Sequence, residues 1–281
     1  MSMKNRHVLG EAVRHLILII LALYTLAPLL FLFVNAFKSN NEIIASPVAL
    51  PEHWTLQYIK TAMEAINFGK ALGLTFIITF FSILLLVIVS SFAAWAMVRS
   101  KTILSNIVFL CFTAAMLVPF QSLMYPLLSV FEKMGLKNVQ GLILMYGGFG
   151  LSMSVFLYHG FIQSVPASLE EAAVLDGANL FQMFFKVVFP LLKGTTVTVI
   201  VLNGMWIWND YLLPFLVIGN KTGSKTLTLE LYFAKLTSGQ YGNPWELIFP
   251  AVFVTIIPII ILYIFLQKYI VAGVSEGAVK M

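Results

Sequence analysis

Six long runs of apolar residues determine what this chain can fold into. They extend over about 16–37, 72–98, 103–131, 141–161, 195–218 and 247–267. An α-helix needs about 20 apolar residues to cross about 30 Å of hydrocarbon, so each run can form one span. The chain of 281 residues is 60% hydrophobic and 10% charged, whereas soluble domains average about 45–50% and about 25%. This composition excludes an ordinary soluble domain and predicts a multi-pass membrane protein.

Within each run the apolar residues are continuous rather than alternating, which favours helices over barrel strands. We therefore predict an all-α membrane protein with six transmembrane helices in a single domain, 1–281. The first run follows Lys4, Arg6 and Arg14, as a secretory signal would. It exceeds a signal core in length and contains Pro28, so we interpret it as a retained span. Glycines and prolines in the later runs are interpreted as close-packing positions, with hinges as the alternative.

Six spans place both termini on the same side of the membrane. Three basic residues lie before the first run and only Lys38 lies close after it, which favours cytoplasmic termini. Segments 38–70 and 218–246 are then external loops, the first with a short amphipathic helix. Segment 163–194 and the C-terminal tail, 268–281, face the cytoplasm.

Segment 163–194 contains the clearest helix signals outside the apolar runs. Ser168 and Glu171 form an S-x-x-E capping box that predicts a helix start, and Gly177 suits the left-handed conformation at its end. A second short helix, interrupted by Pro190, would present an apolar stripe at i, i+3, i+4 and i+7: Phe181, Phe184, Phe185 and Val188. From these residues alone, the segment is either an interfacial elbow between two spans or a docking surface for a partner.

The same segment carries a longer pattern: EAA, three residues, Gly, nine residues, an aliphatic residue, one residue, then Leu-Pro. Phe189 stands in place of the usual Leu, and the matching residues are Glu171, Ala172, Ala173, Gly177, Val187 and Pro190. This pattern resembles the loop signature of ABC importer permeases. Segments 175–178 (LDGA), 208–214 (WNDYLLP) and 269–281 are similar to the sugar-importing, maltose-permease-like branch of that family, although Met281 replaces the usual final Gly.

The resemblance implies a type I ABC importer permease fold and a set of partners. Segment 163–194 would be the coupling loop, whose first helix sits in a cleft of a cytoplasmic ATPase subunit and transmits its closure to the spans. The implied partners are a second homologous permease subunit, two cytoplasmic ATPase subunits and an extracytoplasmic sugar-binding protein. The binding protein would be probed by loop 218–246, and residues 275–281 would reach between the ATPases.

The implied location is the bacterial or archaeal plasma membrane, in contact with lipid and with both termini in the cytoplasm. The residues that the resemblance assigns to ATPase coupling are Glu170, Glu171, Ala172, Ala173, Asp176, Gly177 and Pro190.

The sequence offers no nucleotide, metal or catalytic motif. Segment 219–226, GNKTGSKT, fails as a phosphate loop because only three residues separate its glycines and Ser224 stands where the Lys should be. The single Cys111 and the isolated histidines lack metal-ligand spacing. We therefore expect no enzyme activity and no cofactor in this chain, with ATP and Mg²⁺ bound by the ATPase subunits. The net charge of +5 is scattered between apolar runs and indicates no nucleic-acid surface.

Polar and aromatic residues, mainly in the fifth run, are candidates for a substrate path. A central Asp costs about 2.5–3.5 kcal/mol to insert, so Asp210 must face protein or a water-filled path. Sugars bind aromatic faces, amides and carboxylates, which suits this set: Gln121, Tyr146, Asn203, Trp206, Trp208, Asn209 and Asp210. Direct substrate contact, lining of a path or gate, and a structural role stay open as alternatives. The main alternative function is an ion-coupled secondary transporter in which Asp210 binds a proton or sodium.

Overall fold

The computed structural model describes residues 3–219, 225–238 and 243–278, with side chains from residue 10 onward except 236–238, 266 and 268–278. All secondary structure in this part of the chain is helical, which confirms the predicted class. The helices are α1 (Met3–Asn35), α2 (Asn40–Ala45), α3 (Gln57–Ala65), α4 (Phe68–Ser100), α5 (Ile103–Ala115), α6 (Phe120–Lys133), α7 (Val139–Ile162), α8 (Ser168–Leu175), α9 (Leu180–Met183), a π-helical turn (Phe184–Val188), α10 (Phe189–Leu191), α11 (Lys193–Asn209), α12 (Leu212–Val217), α13 (Leu227–Ser238) and α14 (Trp245–Ala278).

Four helical segments are long and apolar enough to cross a membrane: Gly10–Asn35, Phe68–Ser100, Val139–Ile162 and Trp245–Phe265. Two bent helix pairs raise the number to six if each pair is one span. One pair is α5 with α6, bent by 107°, and the other joins Leu180–Leu191 to α11, bent by 77°. The third predicted run, 103–131, is therefore two helices, because Pro119 has no amide hydrogen to donate and disfavours a helical residue before it.

The chain divides into two compact units. The first comprises the described residues of 1–68 and 230–258, and the second those of 69–229 and 259–281. The single domain expected from the sequence stays a prediction. Parts of two predicted features, the external loop 218–246 and the tail contact at 275–281, lie outside the described residues.

The first unit has a small core where α3 packs against α14. The turn after α1 is held by side-chain hydrogen bonds. Lys38 is buried, and its ammonium donates to the carbonyl oxygen of Ser46 at 3.0 Å. This burial lowers the pKa of Lys38. The next turn begins α2 with a capping box between Ser39 and Glu42. Backbone amides of Ser39 and Glu52 donate to the Glu42 carboxylate and lower its pKa.

The second unit holds the larger core and the candidate functional residues. Its helices α4, α7 and α11 and the π-helical turn contribute buried residues to one cluster: Val87, Ala94, Trp95, Met97, Val155, Tyr158, Ile162, Phe184, Val188, Leu192 and Val199. Within the helical span α7, a Cβ added to Gly150 would lie 2.5 Å from Asn203 Oδ1 and 2.7 Å from a Leu86 methyl. Gly150 therefore permits close packing, as predicted, whereas a Cβ added to Gly148 would meet no atom within 4 Å.

Candidate functional site

Segment 163–194, the predicted coupling loop, contains α8, whose start differs from the prediction. Ser168 is already helical, Ala167 is the N-cap, and no side chain caps the helix there. The predicted capping box is thus wrong. The helix starts one residue earlier because the Ala167 carbonyl already accepts from the Glu171 amide at 3.0 Å. This turn follows Pro166, which lies outside the helix and has no amide hydrogen to donate.

The end of α8 follows the prediction. Gly177 has φ +80°, a left-handed conformation that a glycine adopts without strain. The Gly177 amide donates to Val174 O and the Ala178 amide donates to Ala173 O, both at 3.0 Å. These two bonds form a Schellman motif, which satisfies carbonyls at the helix end and turns the chain sharply.

The two adjacent glutamates of α8 have opposite surroundings. Glu171 is exposed, whereas Glu170 is only 8% exposed. The Glu170 carboxylate accepts from Trp95 Nε1 at 3.0 Å and from Arg99 Nε at 2.8 Å. Of the residues predicted to contact an ATPase, Glu170 therefore faces the chain's own interior.

The remaining predicted coupling residues divide in the same way. Ala173 is buried, and the exposed ones are Glu171, Ala172, Asp176, Gly177 and Pro190. Beside them lies a group of exposed apolar side chains: Leu169, Val174, Leu175, Leu180 and Phe181. We call these ten residues the loop surface. Exposed apolar residues next to carboxylates are typical of surfaces that dock a protein or contact a membrane.

The second half of the coupling loop begins at a capping box that the sequence analysis missed, between Asn179 and Gln182. The apolar stripe predicted to follow it is divided. Phe184 and Val188 are fully buried in the core cluster, whereas Phe181 and Phe185 are 65% and 48% exposed. The π-helical turn changes the helical period, so the four residues do not share one face.

Asp210 lies at a break between α11 and α12, where it is the C-cap of α11 and its side chain bonds to the first turn of α12. Its carboxylate accepts from the Leu212 amide at 2.9 Å and from the Tyr146 hydroxyl at 2.9 Å. Its own carbonyl oxygen accepts from Thr228 Oγ1 at 2.7 Å. Both carboxylate oxygens thus already have donors within the chain. This geometry gives no support to an ion-binding role for Asp210.

The other residues predicted for a substrate path divide into a buried and an exposed set. Asn203 is buried and donates to Ser154 Oγ at 3.1 Å, which joins α11 to α7. Trp208 is also buried. Gln121 and Asn209 are exposed, and Trp206 is 42% exposed.

Trp206 packs against a group of aromatic side chains. Its ring lies edge-on to Tyr146, with ring centres 5.4 Å apart, and Phe149 lies 6.5 Å away. Phe149 in turn packs edge-on against Phe120 at 5.0 Å. The structure therefore joins α6, α7 and α11 through aromatic contacts and leaves part of the Trp206 ring uncovered.

Comparisons with known proteins place this architecture. Residues 87–276 match the family described as binding-protein-dependent transport system inner membrane component. The chain is 43% identical over 262 residues to the probable starch degradation products transport system permease protein AmyC of Thermoanaerobacterium thermosulfurigenes, covering 93% of this chain and 94% of that one. It is 34% identical over 281 residues to the multiple sugar-binding transport system permease protein MsmG of Streptococcus mutans, covering 99% and 100%.

A solved structure shares the fold. It is a chain from a bacterial ABC transporter involved in the import of the acidic polysaccharide alginate, with a TM-score of 0.83 and 22% identity, covering 96% of this chain and 98% of that one. The family match spans more than half of the residues and includes segment 163–194 and the break at Asp210. This chain therefore belongs to the family of inner-membrane components of binding-protein-dependent transport systems.

Proposed function

We propose that this chain carries a sugar or oligosaccharide through the membrane as one permease subunit of an ATP-driven importer. The observation that carries the proposal is the similarity, over almost the whole chain, to permeases named for starch degradation products and multiple sugars. A third relative, the melibiose/raffinose/stachyose import permease MelC of Bacillus subtilis, is 33% identical over 256 residues.

The loop surface is the site that would receive an ATPase subunit. Glu171 and Asp176 are exposed on it, and Leu175 is 88% exposed. Exposed apolar side chains of this size are stabilised when a partner groove removes them from water. ATP and Mg²⁺ would be bound by two such ATPase subunits rather than by this chain, and their closure would move the coupling loop.

The exposed part of the substrate path would be completed by a second, homologous permease. Trp206 presents an aromatic face on which a sugar ring can stack, and Asn209 lies one helical turn away from it. The neighbouring Tyr146 and Asp210 would hold the helix break in shape rather than bind the sugar. Nucleotide-driven rearrangement would then expose the path alternately to each side, as a population shift between two states. A sugar-binding protein would deliver the substrate from outside.

The importer function is tested by uptake in proteoliposomes that contain this chain with its partner permease and ATPases. We expect uptake of labelled maltooligosaccharides to require ATP on the side of the membrane that carries the ATPase subunits. It should also require the binding protein on the opposite side. Uptake that continues without the ATPase subunits, or that follows an imposed ion gradient, would contradict the proposal.

The coupling role is tested by Glu171→Lys, which places a cation on the loop surface. We expect ATPase subunits to associate less well and both hydrolysis and uptake to fall. Glu11→Lys is the matched control, because Glu11 is also exposed, lies outside the loop surface, and its carboxylate is 3.7 Å from Arg14 Nη2. Wild-type uptake by a well-expressed Glu171→Lys variant would refute the assigned role.

The orientation is tested by cysteine labelling in a Cys111→Ser background. We propose that α8 and both termini are cytoplasmic, so a membrane-impermeant maleimide should label Asp176→Cys only in opened cells. Glu52→Cys, in the exposed loop after α2, should be labelled in intact cells. The reverse pattern would overturn the orientation and the coupling role together.

A further inference from the structure

The buried Glu170 is not explained by contact with an ATPase. It is the neighbour of Glu171 in the EAA segment, yet its side chain is only 10% exposed. A carboxylate is rarely buried unless its oxygens have charged or hydrogen-bonding partners. Its partners therefore indicate what it does.

Both oxygens of Glu170 are occupied by residues of α4. Oε2 accepts from the indole nitrogen of Trp95 at 3.0 Å. Oε1 accepts from Arg99 Nε at 2.8 Å and lies 2.8 Å from Arg99 Nη2. Trp95 and Arg99 are four residues apart, so they lie on the same face of α4. Charge-assisted bonds of this kind are stronger and more directional than neutral ones.

Arg99 also reaches the segment that leads into α8. Its Nη2 donates to the Val165 carbonyl oxygen at 3.0 Å. The Arg99 guanidinium thus bonds both to the backbone before α8 and to a side chain within α8. A lysine ammonium would lack the planar fork of donors that makes these contacts together.

Trp95 also packs against aromatic residues of the core. Its ring centre lies 5.3 Å from that of Phe184 and 5.6 Å from that of Phe92. Phe184 is fully buried in the π-helical turn of the coupling loop. The end of α4 is therefore held to both halves of the coupling loop, through an ion pair on one side and aromatic packing on the other.

We propose that Glu170, Arg99 and Trp95 form a coupling lock that fixes α8 to the end of α4, so that displacement of α8 moves this span. The three are positioning residues, since they do not form part of the loop surface. Glu171 and Asp176 contact the ATPase, and Glu170 passes the movement on. This inference rests on the proposed coupling role of α8.

Substitutions in the coupling lock and on the loop surface should have different effects on ATP hydrolysis and uptake. A change on the loop surface weakens association with the ATPase, so hydrolysis and uptake fall together. A change in the coupling lock leaves the loop surface intact but loosens α8 from α4. Hydrolysis then continues while less substrate is moved for each ATP.

The experiment uses the assembled transporter in proteoliposomes and measures uptake and ATP hydrolysis in the same preparation. For Glu170→Gln we expect the uptake-to-hydrolysis ratio to fall by about 2- to 30-fold, as for residues along a coupling network. Glu64→Gln is the matched control, because it makes the same chemical change at an exposed glutamate outside both the loop surface and the coupling lock, and it should keep the wild-type ratio.

Two further variants separate positioning from general damage. Trp95→Phe keeps an aromatic ring against Phe184 but removes the N–H donor, so we expect a smaller fall in the ratio with normal assembly. The double variant Glu170→Gln with Arg99→Gln pairs two neutral amides and leaves no unpaired buried charge. We expect its ratio to lie closer to wild type than that of Arg99→Gln alone.

The outcomes are separable. A wild-type ratio in Glu170→Gln and Trp95→Phe, with Glu171→Lys impaired, would overturn the coupling lock and leave the coupling role of α8 standing. Parallel loss of hydrolysis and uptake in Glu170→Gln would also overturn it, because that is the behaviour of the loop surface. An unimpaired Glu171→Lys variant would instead overturn the proposed function on which the lock depends.

Discussion

Replacement of Gly150 by alanine should destabilise the second unit because there is no room for a methyl group. The added Cβ would lie 2.5 Å from Asn203 Oδ1 and within 2.7 Å and 2.9 Å of the two Leu86 methyl groups. Leu86 is fully buried and Asn203 is 5% exposed, so neither can swing into open space. Overpacking a core typically costs about 1–3 kcal/mol.

A second loss accompanies the overpacking. If the Asn203 amide rotates away, it gives up its 3.1 Å bond to Ser154, and interhelical bonds of this kind contribute about 0.6 kcal/mol in membranes. The total is about 2–4 kcal/mol before the better helix propensity of alanine, about 1 kcal/mol, is subtracted.

Gly148→Ala is the matched control because it lies in the same helix and has no atom within 4 Å of the added Cβ. Comparing the two variants cancels the helix propensity. Gly147→Ala should fall between them, since its added Cβ meets only the end of the flexible Leu85 side chain at 2.5 Å.

The assay is thermal unfolding of the purified protein in detergent, followed at one scan rate because heating such proteins is commonly irreversible. We expect Gly150→Ala to unfold at least about 4 °C below Gly148→Ala, at roughly 2–4 °C per kcal/mol. Equal midpoints for these two variants would refute the packing argument. A midpoint of Gly148→Ala below that of Gly150→Ala would do so as well.

Three further predictions follow from single contacts. Gly177→Val should lower stability by about 1–2 kcal/mol relative to Gly177→Asn, because asparagine tolerates the left-handed conformation and valine does not. Chemical denaturation measures the difference, and equal stability of the two variants would contradict the prediction. Tyr146→Phe should reduce stability by about 1 kcal/mol, since it removes a single donor to Asp210, and a loss above 3 kcal/mol would show that the hydroxyl does more. The lowered pKa of Glu42 adds stability above its ordinary value of 4.5 that is lost as the pH falls through the folded value. The midpoint difference between wild type and Glu42→Gln should therefore shrink below pH 4.5, and a pH-independent difference would contradict this cause.

The helices were predictable because each span is specified by local composition, and so was the end of α8. Glycine is the only residue type that adopts φ +80° without strain, so the position of Gly177 alone predicts where α8 ends. The break before α6 was also readable, since Pro119 interrupts the third run. It was missed because prolines in membrane helices are commonly tolerated.

The orientation of Glu170 was not predictable, because which face of a short helix is buried depends on what packs against it. Trp95 and Arg99 lie at the end of the second apolar run, where aromatic and basic residues are common at a membrane interface. Their spacing of four was the available signal, but the sequence separation of 71 residues between Arg99 and Glu170 hid their contact.

The role of Asp210 had a local signal that the sequence analysis did not use. An Asp shortly before a Leu-Leu-Pro helix is typical of a helix start, since its carboxylate can accept from backbone amides of the first turn. The structure has this arrangement at Leu212 and Leu213. The contact with Tyr146, 64 residues away, could not be derived from local pattern.

The exposure of α1 has a consequence for how the protein is made. None of the most apolar 18-residue stretch of Gly10–Asn35 is buried within the described part of the chain. Its side chains gain little from neighbouring helices, so their favourable transfer free energy comes from lipid tails. Such a helix can therefore enter the bilayer as an independent unit, and its assembly with other helices follows insertion.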